Sequence, residues 1–548
     1  MTGVCLITSA AYIGPDLAAQ FGRIPPAFLP IRNRRLFVHQ HEVLKVAGAR
    51  KILSLPDDFE PDQADLLLLN TREFEVVRVP VGLTLGASIV YVINMTASAG
   101  GRLSIMHGDT LLEGIDFSVV DGVSTAEMPC IYEWDVVCQD AQPISKVFSL
   151  EKTLVEKPIE YKAQKNEALS GWFSFSNAAA LIQAITREGG NFVRALDRYA
   201  VDRPLQAISC NRWFDFGHAI TFDQSRRRFT TERSFNHLDA THRTVIKSGT
   251  NNNKIEAEAR WFEQLPLDMR IYTPAFLGKT EVSESKNYSI EYLHLPTLAD
   301  LFVFGRQPRQ LWSQIFQSCD EFLLACCKHA SHKDKDTQSR ALYAEKTMDR
   351  LELFARAKRI DLKAPCRFNG IWLPSLEQMV NIVDSAIPRS PVSHLTLVHG
   401  DFCFSNILYD IRANLVRVID PRGMDASGEF TITGDLRYDL GKLYQSVIGG
   451  YDHIVAGYYD LKWLSALDVS LELPENTRLR DIKAEFLGRH FANLSLDTSA
   501  APAICVLLFL SMLPLHSEDP SRQNAFLANA MRLFLQLETR TLKGNVAA

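Results

Sequence analysis

The sequence predicts an α/β domain followed by an α+β domain that becomes largely helical toward its end. Two patterns carry this reading. Through about residue 230, short apolar runs alternate with helical stretches, the rhythm of a mainly parallel sheet with helices on both faces. From about Phe235 this gives way to a short β section, one helix and then long helical segments, which places a domain boundary near residue 232.

In the first part, Val4 to Ile7, Lys51 to Leu55 and Leu103 to Met106 are the expected strands, and Leu85 to Thr96 is a helix leading into the third. Ser176 is expected to cap a helix running to Arg187, with Leu181, Ile182 and Ile185 on one face and Gly189 and Gly190 ending it. In the second part, the strand Thr244 to Lys247 precedes a helix through Glu258 and Trp261. A strand from Tyr288 to Leu293 then leads to a helical region from Pro308 to about Met348. The uncharged run Ala501 to Leu515 is shorter than the ~20 residues that span a bilayer, so it predicts a buried helix and no membrane insertion.

At 548 residues the chain exceeds what one core organises, and ~100 to 200 residues per domain suggests about three folding units. Apolar residues at 46% and charged residues at 22% fit a folded, soluble chain. A net charge of -5 leaves no footprint for nucleic acid, and the short basic runs Arg32 to Arg35 and Arg226 to Arg228 read as solvated surface. The ten cysteines show neither a CxxC pair nor a paired framework, which points to reduced thiols and a cytoplasmic location. The opening MTGVCLITSAAYIG has no basic region before its apolar stretch and reads as a strand, not a signal peptide.

The most informative stretch is LTLVHGDFCFSNILYDIRANLVRVIDPRG, residues 395 to 423. Asp401 and Asn406, with four residues between them, have the spacing of a kinase catalytic loop, in which the Asp accepts a hydroxyl proton and the Asn holds magnesium. Strands Ile407 to Tyr409 and Leu415 to Ile419 form an expected hairpin about Ala413, whose open end brings Asn406 and Asp420 together. Metal ions that bridge phosphates need hard oxygen ligands, so Asp420 is the second expected magnesium ligand.

HGDxxxxN, then IDPRG, then GDLRYDLGKLYQS at 434 to 446 together resemble the aminoglycoside phosphotransferase and choline kinase superfamily over about residues 235 to 540. The resemblance implies a protein-kinase-like bilobal domain, with a reduced N-lobe over 233–305 and a largely helical C-lobe over 306–548. It implies Asp401 as catalytic base, Asn406 and Asp420 as magnesium ligands, Asp435 and Asp439 as loop braces, and an architectural His399. Lys247 and Glu258 fit the strand lysine that grips ATP phosphates and the helix glutamate that orients it, with Glu256 as the competing carboxylate. The segment YSIEYL resembles the strand linking the two lobes, so the backbone of Glu291 and Leu293 would meet adenine. No GxGxxG precedes Lys247, which leaves the cover over the phosphates undefined.

Residues 6 to 40 resemble the opening of sugar-phosphate and phosphocholine nucleotidyltransferases, implying a GT-A/Rossmann-like domain over 1–232. Against the signature AAGxGxRL, then PKxLLPV, the first glycine is Tyr12, the arginine is Asp16 and the lysine is Pro26, while Gly14 and Pro25 persist. HGD at 107 to 109 and WFDFGH at 213 to 218 match later family elements, so Asp109 and Asp215 are expected to share one magnesium ion. GWFSFS at 171 to 176 adds to the fold assignment alone.

The expected function is therefore an ATP- and Mg2+-dependent kinase acting on a hydroxyl of a small-molecule acceptor, a sugar or amino alcohol. The fusion implies coupling to nucleotidyl transfer from a second nucleoside triphosphate, making an NDP-activated head group for capsule or other surface polysaccharide. The alternative is a kinase whose first domain is catalytically inactive and serves binding or scaffolding. Tyr444, Tyr451, Tyr458, Tyr459 and Trp463 offer aromatics for a quaternary ammonium cage, weighed against ordinary core packing.

Overall fold

The computed structural model describes residues 3–44, 49–127, 135–138, 146–149, 167–228, 236–282, 285–329, 341–388, 395–465 and 467–547. It divides into two compact units, Met1–Phe229 and Thr230–Ala548. The boundary expected near residue 232 falls within 229–235, outside the described residues.

The first unit is α/β. Its sheet has nine strands among the described residues, with Phe74–Val79, Arg50–Pro56, Val4–Thr8 and Leu103–His107 side by side and parallel. Strands buried on both faces read as continuous apolar runs, which is why Val4–Thr8 shows no alternation. The sheet is mixed, correcting the expectation of a mainly parallel one. Glu167–Phe175 joins antiparallel beside Leu103–His107 and also pairs antiparallel with Gly122–Glu127, bulging between Leu169 and Phe173 around Gly171. Helices Leu85–Met95, Ala178–Arg187 and Phe192–Asp202 pack on the sheet through Ile89, Ile93, Leu181, Ile185 and Leu196.

Two local expectations are corrected here. The cap of Ala178–Arg187 is Asn177, whose side chain accepts from Ala180 N, while the Ser176 N–H is taken by Asp121. Arg35 is not solvated: it is buried and forms a two-pronged pair with Asp65, at 3.0 and 2.8 Å, while Nη1 donates to Phe28 O. Such a fork pins the segment after the signature loop, since removing one partner would leave the other charge buried alone.

The second unit is α+β and bilobal. Its small lobe is an antiparallel sheet in the order Asn236–Ala240, Thr244–Gly249, Ser285–Glu291, Phe276–Val282, with one helix, Asn252–Gln264. Asn251 caps that helix by accepting from Lys254 N. The expected strand to Leu293 ends at Glu291, although Tyr292 N–H still donates to Arg243 O at 2.8 Å, in register with the Thr244–Glu291 pair.

The large lobe is helical, with the hairpin Ile407–Asp410 and Leu415–Val418 near the lobe boundary. The region expected to be helical from Pro308 to Met348 contains Arg309–Cys327 and the start of Lys346–Lys358, with 330–340 outside the described residues. Ala501–Ser511 is buried on every side. A Cβ added at Gly441 would lie 2.4 Å from Ile504 Cγ2, so glycine lets helix Leu436–Val447 close on it. No helix among the described residues is long and apolar enough to cross a membrane.

Candidate active site

In the second unit, the strand, the helix and the hairpin each deliver one charged group to a common point. Lys247 Nζ lies 2.6 Å from Glu258 Oε2 and 2.9 Å from Asp420 Oδ1. Lys247 and Glu258 are almost wholly buried, at 3% and 1% side-chain exposure, whereas Asp420 retains 29%. Burial alone would push the lysine toward neutrality, but Asp420 and Glu258 more than offset it and raise its pKa. Tyr288 donates to Glu258 Oε2 at 2.8 Å, fixing the carboxylate. Glu256 is held elsewhere, by Arg260, Lys279 and Lys286, so the geometry separates the two competing glutamates.

The helix bearing Glu258 is docked against the loops that carry the candidate residues. Trp261 Nε1 donates to Val398 O at 2.8 Å, just ahead of the HGD segment. Gly423 of IDPRG, at φ 65°, runs against the same helix: an added Cβ would lie 2.1 Å from Ala257 O. Only glycine fits that approach.

Asp401 is held from two sides. Asn406 donates Nδ2 to Asp401 O at 3.0 Å and to Oδ2 at 2.9 Å, and Lys442 Nζ lies 2.9 Å from Oδ1. Both partners of the Asn406 amide nitrogen are acceptors, so its carbonyl oxygen is the atom left to ligate a cation. The hairpin closes as expected, with Ile419 N donating to Asn406 O at 3.0 Å and Asp420 following at φ 58°. A non-glycine residue there costs about 1 kcal/mol, a strain often found at functional positions.

His399 and Asp439 brace this loop. Asp439 accepts from His399 N and Gly400 N, both at 2.8 Å. Asp401 N–H donates to His399 Nδ1, so Nε2 carries the proton given to Ile419 O. Asp435 caps helix Leu436–Val447 and is paired with Arg437 at 2.6 Å.

Burial pushes the His399 pKa down to about 4, from 6.5 when unfolded. A base with a depressed folded pKa gives stability that is complete above pH 6.5 and is lost as pH falls toward 4. Asp439, raised to about 7 by burial, acts oppositely over nearly the same window, so the contributions of these two groups to the wild-type curve largely cancel. The stability gap between wild type and His399→Gln should instead widen by about 2 kcal/mol between pH 5 and pH 7, read from urea unfolding.

Among the linker residues, Glu291 N is taken by Ala275 O, and its side chain accepts from Ala275 N. The Leu293 peptide makes no hydrogen bond among the described residues. The strand that would lead into a phosphate cover starts at Asn236, and the residues just before it, 229–235, lie outside the described ones. Four of the five aromatics have separate partners: Tyr444 packs on Phe486, Tyr451 on Phe526 and Tyr458 on Phe304, while Tyr459 bonds Ser521.

Lys442 was missed in the sequence. Its signal was its position three residues after Asp439 on one helix, which puts both on the face turned to the catalytic loop.

In the first unit, the signature loop and HGD follow adjacent parallel strands at their carboxyl ends, where ligands bind in open α/β sheets. Gly108 permits their contact, since an added Cβ would lie 2.5 Å from Thr8 O. Gln40, another residue the sequence did not single out, gives Nε2 to His107 O, Gly108 O and Thr110 O and so fixes the HGD turn.

Asp109 and Asp215 meet there. Phe216 N donates to Asp109 O, and a Cβ on Gly217 would lie 2.6 Å from Asp109 Oδ2 and 3.4 Å from Asp215 Oδ1. Burial, then the neighbouring Asp215, raises Asp109 to about 7. His218 and Thr221 occupy Asp215 Oδ2. Two carboxylates crowded in this way fit a divalent cation, which would relieve their repulsion. Tyr12 donates to Asp58, Arg23 pairs with Asp58 at 2.8 Å and stacks 3.7 Å over the Tyr12 ring, and Asp16 is exposed.

No protein-family model and no curated protein matches the chain. Among solved structures, the first unit is similar to the inositol-1-phosphate CTP transferase from T. maritima, at 13% identity and TM-score 0.31, covering 40% of this chain and 91% of that one. HddC from Yersinia pseudotuberculosis is similar at 17% identity and TM-score 0.31, with 42% and 100% covered. The second unit is similar to a thermostable mutant of aminoglycoside phosphotransferase APH(4)-Ia, at 14% identity and TM-score 0.31, with 56% and 93% covered. The N-terminal part thus resembles sugar-phosphate nucleotidyltransferases and the C-terminal part aminoglycoside phosphotransferases.

Proposed function

We propose that the protein is an ATP-dependent kinase that phosphorylates a hydroxyl of a small molecule, working in the cytoplasm. The observation that carries this reading is Lys247 meeting both Glu258 and Asp420 within 2.9 Å, beside a loop in which Asn406 and Lys442 hold Asp401. In this reading the backbone of Glu291 and Leu293 meets adenine, and Lys247, oriented by Glu258, holds the phosphates. Asn406 and Asp420 hold magnesium, which when bound neutralises charge on the phosphates. Asp401 orients the acceptor hydroxyl and takes its proton, while Lys442 and Asn406 keep the carboxylate fixed.

The test is ADP formation from magnesium-ATP with sugars, amino alcohols, polyols and their acidic derivatives, with the phosphorylated product identified by mass spectrometry. Acceptor-dependent ADP together with a phosphorylated product is the expected result. Failure of every class to raise ADP above background would remove the kinase reading.

A second reading concerns the first unit and rests on the meeting of Asp109 with Asp215: nucleotidyl transfer that converts the phosphorylated product to an NDP-activated head group for surface polysaccharide. Against it stand Asp16 and Pro26, which replace the signature's two positive charges, Tyr12, which replaces its first glycine, and Arg23, which is committed to Asp58. Losing one such charge-stabilising contact commonly costs 10² to 10³ in rate. Weak or absent pyrophosphate release with CTP, UTP, GTP or dTTP is therefore expected, leaving the unit as a binding or scaffolding module. Release at ordinary enzymatic rates that Asp109→Ala and Asp215→Ala abolish would establish the bifunctional enzyme instead.

A further inference from the structure

Beside Asp401, three elements bring four basic side chains together. Lys346 and Arg350 lie one turn apart on Lys346–Lys358, Arg422 follows Asp420 by two residues, and Lys442 lies one turn after Tyr438 on Leu436–Val447. The Tyr438 ring is their meeting point. Arg422 Cζ stacks 4.2 Å from its centroid and Nη2 donates to Tyr438 Oη at 2.5 Å, while Lys346 Nζ lies 6.0 Å from the same centroid. Arg350 donates to Ser511 O at 3.1 Å.

The cluster is anchored to the catalytic loop. Arg422 N–H donates to His399 O at 2.9 Å, and a Cβ on Gly400 would lie 2.7 Å from Arg422 Cβ. Lys442 is the link to Asp401 itself.

What distinguishes this group is its lack of counter-charge. Among the described residues, Lys442 alone of the four makes an ion pair with a carboxylate. The nearby acids are committed, Asp435 to Arg437 and Asp439 to the His399 and Gly400 N–H groups. Though Tyr438 favours its charge, burial and the neighbouring Arg422, Arg350 and Lys442 push Lys346 down to about 8. Burial opposes ionisation of Tyr438, yet Arg422, Lys346 and Lys442 pull it down to about 7. These shifts place the shortage of negative charge at the Lys346 and Arg350 end, since Arg422 has Asp401 and Asp439 nearby and Lys442 has Asp401.

We propose that the acceptor carries an anionic group, a phosphate or a carboxylate, that is received by Lys346, Arg350 and Arg422 while its hydroxyl lies at Asp401. This rests on the kinase reading and narrows it to acidic acceptors such as sugar phosphates or sugar acids. Arginine forks and lysine suit both anions. The bond from the ATP γ-phosphorus to its bridging oxygen breaks to release ADP, a bond forms to the acceptor oxygen, and the hydroxyl proton passes to Asp401.

The test compares kcat/KM for a sugar phosphate, the corresponding sugar acid, the neutral sugar and an amino alcohol, with wild type, Lys346→Ala and Lys346→Arg. An acidic acceptor should be preferred over the neutral sugar by about 10- to 100-fold or more in the wild type, a preference that collapses in Lys346→Ala and is retained in Lys346→Arg. The two acidic arms tell phosphate from carboxylate. ADP formation with the neutral sugar or amino alcohol as the favoured acceptor would overturn the proposal and leave the kinase reading standing. Should no arm consume ATP, the kinase reading falls and the anion site is judged by calorimetry with inorganic phosphate. Binding that Lys346→Ala and Arg350→Ala abolish supports the site, and equal or absent binding overturns it.

Discussion

Asp401→Asn should lower acceptor phosphorylation by about 10² to 10⁴ while magnesium-ATP affinity stays within a few-fold of wild type. The substitution keeps size and shape, and the fold is secured elsewhere, since Asp439 and not Asp401 accepts the loop's N–H groups. What is lost is the proton acceptor and the charge opposite Lys442. Steady-state ADP formation beside calorimetric ATP binding separates these effects. Turnover at the wild-type rate would remove Asp401 from the role of base, and a matching loss of ATP binding would move it to the nucleotide.

Asp420→Ala has the larger expected effect, loss of magnesium-dependent nucleotide binding together with turnover, because a charged ligand disappears. The small lobe should survive, since Lys247 keeps Glu258 at 2.6 Å. Asp420 sits at φ 58°, where alanine is strained, so Asp420→Asn is the companion variant: asparagine tolerates that backbone and still lacks the charge. For both variants, ATP affinity measured with magnesium should fall toward the value without it. An unchanged magnesium dependence would break the case for Asp420 as a ligand.

The geometry of the candidate catalytic loop was legible in the sequence because it is local. Four residues separate Asp401 from Asn406, and a hairpin of ordinary register returns the chain to Asp420. Lys247 and Glu258 were named in advance, but sequence could not separate Glu258 from Glu256; that depended on which one Tyr288 and the strand lysine reach. Lys442 and the group around Tyr438 stayed hidden because lysines and arginines on amphipathic helices look like solvated surface until tertiary packing turns them inward. Arg35, on the short strand Arg34–Arg35, was misread because its partner Asp65 lies thirty residues on, in the helix Gln63–Thr71. In the first unit the parallel strands were legible as apolar runs, whereas Glu167–Phe175 entering antiparallel was a matter of chain path, which periodicity does not encode.

The central claim, transfer of the ATP γ-phosphoryl group to a small molecule at Asp401, is tested most directly by following label from γ-labelled ATP into a pool of acidic, neutral and amino-bearing hydroxyl compounds. Wild type, Asp401→Asn and Asp420→Ala are compared side by side with magnesium present. The structure predicts a labelled small-molecule phosphate ester with wild type and little or none with either variant. Label confined to ATP and inorganic phosphate with wild type, or equal product from all three proteins, would contradict it.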